Sequence, residues 1–117
     1  MKVITKVIKE AIKTFIGGVN AYPSTAEDIN DGSCDRFAQF VSSQIAVSKC
    51  IWGDELTEEF WGIEDDCWMS HHAPYHCFIV FKGKYYDSES PKGVDHPKEL
   101  IYYQKELGRY RRCNSPD

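Results

Sequence analysis

Two helical stripes early in the chain and one β-hairpin late in it predict an α+β fold in a single domain. The stripes are VITKVIKEAIKTFI and SCDRFAQFVSSQIAV, in which apolar residues recur every three or four positions. The hairpin is HCFIVFKGKYYD, two β-rich runs joined at Lys82-Gly83. Helices first and strands later mean segregated rather than alternating elements, the arrangement of α+β chains. At 117 residues the chain makes one domain, 1–117, large enough to bury a core without metal or disulfide staples.

The elements follow in order. The N-terminal segment 1–16 carries an amphipathic helix, with Val3, Ile4, Val7, Ile8, Ile12, Phe15 and Ile16 set between Lys2, Lys6, Lys9 and Lys13, and Gly17-Gly18 stops it. Its basic face suits a membrane surface or solvent over a helix packed on the domain, and the packed helix is the reading adopted. Residues 19–32 are rich in turn formers and make a loop or a short acid-capped turn. In the second stripe Cys34, Phe37, Ala38, Val41 and Ile45 share one face, with Ser33 the expected N-cap of a core helix. Residues 54–61 form a short helix with acids in its first turn, and an irregular stretch runs from there through Pro74. The hairpin comes next. Beyond Pro91, either Asp95 caps a helix with Pro97 in its first turn, or Ile101-Tyr102-Tyr103 forms an edge strand.

Composition narrows the function classes. Five cysteines, an odd number without framework spacing, indicate reduced thiols and a cytoplasmic setting rather than a secreted disulfide scaffold. No apolar run approaches a membrane span, and the first residues lack the uninterrupted apolar segment of a signal peptide, so a soluble protein with no membrane partner is expected. Net charge is −4, and residues 27–66 carry eleven acids against Arg36 and Lys49 alone, which disfavours nucleic acid as a partner on that face. The high aromatic share, 14%, includes Trp52, Phe60, Trp61 and Trp68, expected to complete the core, with a substrate cleft as the alternative.

Two constellations carry chemistry. Cys34 opens the second helix, where unpaired N–H groups and the positive end of the helix dipole favour a thiolate and could hold an oxyanion. If Lys82 and Gly83 are the two turn residues, His76 and Asp87 become diagonal neighbours on one face of the hairpin, a base with its orienting acid. Glu89 shares that face and is the reserve for Asp87, and a one-residue slip of register would separate the pair. Packing of that face against the Phe37/Val41 helix would bring Cys34 to the histidine. The rival is CWMSHHAPYHC, whose Cys67, His71, His72, His76 and Cys77 are residue types that zinc takes. Pro74 interrupts the cluster and it lacks two separated ligand pairs, so no metal and no cofactor are expected.

GSCDRFAQFV, with its cysteine opening a helix, followed by HCFIVFKGKYYD, resembles the papain-like cysteine peptidase superfamily, nearest its transglutaminase-like branch and small phage or bacterial proteins of that kind. The resemblance spans residues 31–95, the expected catalytic core, in the order Cys, His, Asp. It implies a papain-like or transglutaminase-like fold in which a central helix carrying the cysteine packs on a small antiparallel sheet. Cys34 would be the nucleophile, His76 the general base and acid, and Asp87 the group that fixes the histidine tautomer. Asn20 and Tyr22 are the candidates for an oxyanion side chain. The expected function is a cysteine-dependent acyl-transfer enzyme, a thiol hydrolase of amide or isopeptide bonds in a protein or peptide substrate, working in the cytoplasm or, if phage-encoded, the host cytoplasm. The alternatives are a transglutaminase or deamidase, a non-catalytic binding or inhibitory module of the same fold, and a zinc-stabilised interaction module.

Overall fold

In the computed structural model, which describes residues 2–17 and 21–113, the late hairpin is the centre of the fold. Lys82 (φ 50°) and Gly83 (φ 75°) both lie in the left-handed region, the pair of conformations that a two-residue turn matching the strand twist requires. That turn sets the register of β2 (Cys77–Phe81) on β3 (Lys84–Tyr86): Ile79 faces Tyr86, Val80 faces Tyr85 and Phe81 faces Lys84. The register is the one expected from the sequence. A third strand, β1 (Lys49–Trp52), pairs antiparallel with the other edge of β2, in the order β1-β2-β3. The sequence reading had no strand here, because KCIW is too short to show an alternation.

The sheet is covered on both faces, and the alternation of side chains sorts the core into two sides. Cys77, Ile79 and Tyr86 point to one side, against Ile4, Ile8 and Ala11 of α1 (Val3–Phe15) and Phe37, Ala38 and Val41 of α3 (Cys34–Ser42). Phe78 points to the other, where Trp61, Trp68, Leu100, Tyr103 and Leu107 form a second cluster. The described residues form an α+β architecture of six α-helices and a three-stranded antiparallel sheet. Among the described residues no helix is long and apolar enough to cross a membrane.

Several elements differ from expectation for local reasons. Residues 19–32 include a short helix, α2 (Ala26–Asn30), whose N-cap Thr25 accepts a hydrogen bond from the N–H of Asp28 (3.1 Å). The helix at Cys34 ends at Ser42, one turn before its apolar stripe does. There the Ser43 hydroxyl bonds back to the Phe40 carbonyl (2.7 Å) and the Ser48 hydroxyl to that of Ile45 (2.6 Å), side-chain bonds that compete with helix continuation. Residues 54–61 split into a 3₁₀ turn (Gly53–Glu55) and α4 (Glu58–Trp61), capped by Thr57. The stretch expected to be irregular up to Pro74 holds α5 (Asp66–His71), whose N-cap Asp65 accepts from the N–H of Cys67 (2.8 Å), and a 3₁₀ turn at Ala73–Tyr75. Asp95 is not a cap, since its carboxylate pairs with Lys84. His96 caps instead, taking the N–H of Lys98 on Nδ1 (3.0 Å). Ile101-Tyr102-Tyr103 opens α6 (Ile101–Cys113): helical spacing brings Tyr103, Leu107 and Tyr110 to one cluster, whereas a strand would set Tyr110 on the face opposite the other two.

Candidate active site

Because β2 starts at Cys77 and β3 ends at Tyr86, His76 and Asp87 stand one residue past the paired strands, at the same end of the hairpin. His76 Nε2 lies 2.8 Å from Asp87 Oδ2, with both side chains buried. Asp87 Oδ1 accepts from the N–H groups of Glu89 (3.0 Å) and Ser90 (2.8 Å). Both carboxylate oxygens therefore accept, which assigns the imidazole proton to Nε2 and leaves Nδ1 as the working atom. Nδ1 is buried and has no aligned hydrogen-bond partner. Cys34 lies beside His76, and its sulfur, when ionised, favours protonation of the ring.

The electrostatics of His76 follow from that setting. Burial alone would lower its pKa, but the hydrogen bond and charge of Asp87 and the proximity of Cys34 outweigh it, so the pKa is raised above the ordinary histidine value. Cys77, next in sequence, has its thiol pushed up to about 12 by burial, reinforced by the nearby Cys50 and Cys34. Adjacent residues thus end in opposite roles. Cys77 packs into the core, while His76 holds an oriented and polarised ring.

Cys34 reaches His76 by a different route from the one expected. The Phe37/Val41 face of α3 packs on the side of Cys77 and Ile79, not on the side to which Phe78 and the even positions of β2 point. The two residues meet at the end of the sheet, where β2 has not yet begun. The face bearing His76 is covered by α6. Tyr102 stacks on the imidazole at 4.1 Å and 21°, and Tyr103 meets it edge-on at 5.5 Å. Sequence reasoning missed Tyr102, since an edge strand and a helix place it differently and only the helix lays it on the ring.

Backbone contacts hold the histidine in place. Gly53 at the end of β1 donates its N–H to the His76 carbonyl (3.2 Å), and the Tyr103 hydroxyl donates to the Ala73 carbonyl (2.6 Å). A Cβ on Gly53 would fall 2.0 Å from the Ala73 carbonyl oxygen and 2.2 Å from the Tyr103 hydroxyl, so only glycine permits this approach. No sequence signal marked Gly53.

At α3 the Ser33 side chain makes no capping bond and instead accepts from the Arg36 guanidinium (3.2 Å). The expected Ser33 cap is thereby lost, and the first N–H groups of the helix are left without a side-chain partner at the residue that bears the thiol. Tyr22 is no oxyanion donor, because its hydroxyl is spent on the Asp31 carbonyl (2.5 Å), and Asn20 lies outside the described residues. Glu89 does not touch His76: its carboxylate takes Asn30 Nδ2 (2.9 Å) and Lys105 (3.3 Å). The rival cluster is dispersed. His71 is exposed, His72 Nδ1 sits 2.8 Å from Glu106, and His76 is taken by Asp87. Among the described residues no three His, Cys, Asp or Glu side chains are grouped to hold a metal ion.

An open cleft of about 470 Å³ lies in front of Cys34, walled by Gly32, Trp52, Tyr75 and Tyr102. Trp61 and Trp68 are core residues, whereas Trp52 and Phe60 are exposed, Trp52 on this cleft and Phe60 stacked on His96. A thiol, an imidazole and a carboxylate in series, at an uncapped helix start under an accessible cleft, are the parts of a nucleophilic site. No family model, curated protein or solved structure matches the chain.

Proposed function

We propose that this chain is a cysteine-dependent acyl-transfer enzyme of the papain-like, transglutaminase-like kind, acting as a thiol hydrolase of amide or isopeptide bonds in a protein or peptide. The observation that carries this reading is the buried Asp87–His76 pair with Nδ1 unpartnered beside Cys34. His76 takes the thiol proton on Nδ1, and the thiolate sulfur bonds to the carbonyl carbon while the N–H groups at the start of α3 bear the oxyanion charge. The C–N bond then breaks as His76 returns its proton to the leaving amine. Water, deprotonated by the same nitrogen, attacks the thioester, releasing the acid and restoring the thiol. Asp87 is a positioning residue that keeps the Nε2–H tautomer throughout. An amine in place of water in the last step would give transamidation from the same intermediate.

Limiting iodoacetamide at neutral pH, followed by peptide mapping, tests the assignment of the nucleophile. Cys34 should be modified before Cys50, Cys67, Cys77 and Cys113, with Cys77 slow because it is buried and its thiol is pushed up to about 12. Modification of any other cysteine ahead of Cys34 would overturn the reading.

A further inference from the structure

Resting on the reading of Cys34 as the nucleophile, we propose that the cleft in front of it takes a cationic side chain, of the lysine or arginine kind, carried beside the acyl group to be transferred. The cleft is walled by the carboxylates of Asp31 and Asp35 on the helix side and by the rings of Trp52 and Tyr75 on the other, and no basic residue lines it. Among the described residues the Asp35 carboxylate makes no hydrogen bond or ion pair, and Trp52 and Tyr75 join no aromatic pair although they are 39% and 62% exposed. A carboxylate and an aromatic face left open toward the same space are the two groups that bind a partly desolvated cation.

The wall of the cleft also holds an unpaired acceptor. Asn30 is 4% exposed and forms wall common to this cleft and the neighbouring one lined by Glu27, Glu89 and Lys105. Its Nδ2 is bound to Glu89 (2.9 Å), which fixes the amide orientation, and its Oδ1 is a buried acceptor without a donor. A buried carbonyl oxygen left unpaired is costly, which marks this wall as polar beneath its surface. In the neighbouring cleft Lys105 bridges Glu27 (3.2 Å) and Glu89 (3.3 Å), and Arg109 pairs with Glu106. Among the described residues Asp31 and Asp35, which line the cleft that Cys34 borders, pair with no cation, and the Asp31 carboxylate accepts only from the neutral Tyr22 hydroxyl (3.1 Å).

Chloromethyl ketones of acetylated lysine, alanine and glutamate test this directly, because each carries its side chain beside the carbon that the thiolate attacks as chloride leaves. Rates of Cys34 alkylation, read by intact mass and peptide mapping, should favour the lysyl over the glutamyl reagent by about tenfold or more, with the alanyl reagent between them. The ratio should collapse toward one in the double variant Asp31→Asn/Asp35→Asn and fall in Trp52→Ala. Equal rates for the three reagents at Cys34, or a preference that survives the double variant, overturn the inference and leave the nucleophile assignment standing. Alkylation of another cysteine ahead of Cys34 by all three overturns the nucleophile assignment instead.

Discussion

Replacing Asp87 by asparagine changes one atom of the site and reverses its proton logic. In the native chain Oδ1 accepts from two backbone N–H groups and Oδ2 accepts from His76 Nε2. The asparagine oxygen stays on the two backbone groups, because the other orientation would set an NH₂ against two N–H donors. Its NH₂ then faces Nε2, which must become an acceptor, and the proton of the neutral imidazole moves to Nδ1, beside Cys34. A ring already protonated there cannot take the proton of the thiol. Turnover should fall on the order of 10⁴-fold, the scale seen when a triad histidine is held in the wrong tautomer.

The same substitution changes stability in a pH-dependent way. His76 in the fold holds its proton to a pH above the ordinary value of 6.5, since Asp87 and Cys34 outweigh burial. A raised folded value contributes stability that is full below about 6.5 and is lost as pH rises through the folded midpoint. A buried charge-assisted hydrogen bond is worth about 2 kcal/mol, which for a domain of this size is about 8 °C in Tm. Thermal unfolding at pH 6 should therefore separate native and Asp87→Asn by about that amount, and the gap should narrow by pH 9. Nitrogen-15 NMR of the imidazole should report Nε2–H in the native chain and Nδ1–H in the variant at high pH. An unchanged tautomer, or a Tm gap that widens with pH, would refute the assignment of the pair.

Two further substitutions probe the backbone that positions the histidine. Gly53→Ala forces a Cβ to 2.0 Å from the Ala73 carbonyl oxygen, where backbone cannot yield cheaply, so the urea midpoint should drop by an equivalent of about 3 kcal/mol; a loss under about 0.5 kcal/mol would contradict the close approach. Lys82→Asn places a residue tolerant of the left-handed region where φ is 50°, and should raise the unfolding free energy by about 0.5 kcal/mol without moving the His76 resonances.

What was legible in the sequence depended on period and turn chemistry. The register of the hairpin could be read because Lys82-Gly83 admits one two-residue turn and the flanking runs are strongly β-forming, and the His76–Asp87 contact follows from that register by counting. Glu89 was eliminated only by the fold, which supplies Asn30 and Lys105 as its partners. A four-residue strand such as Lys49–Trp52 has no period to detect, and its pairing with β2 is a tertiary choice. α5 was hidden for a similar reason: six residues with one cap give a weak local signal, and Trp68 holds the helix by packing on Trp61 (5.3 Å) and Tyr110 (5.5 Å) from distant segments.

The route by which Cys34 meets His76 shows where counting stops. Alternation correctly puts His76 and Asp87 on one face, and the apolar stripe correctly puts Cys34 on the buried side of its helix, but neither says which face of the sheet that helix covers. Cys77 and Ile79 are as apolar as Phe78 and Val80, so both faces of β2 invite a helix. The choice falls to partner shape: α1 and α3 fit the side of the small Cys77, while the bulk of Trp61, Trp68 and Tyr103 fills the other. Once α3 lies opposite the histidine face, the two residues can meet only beyond the end of β2, and that position sets the thiol beside the cleft. A thiol inside the sandwich would be shut in like Cys77, whereas at the open end of the sheet Cys34 borders the cleft and Tyr102 shields His76 from the solvent that would compete for Asp87.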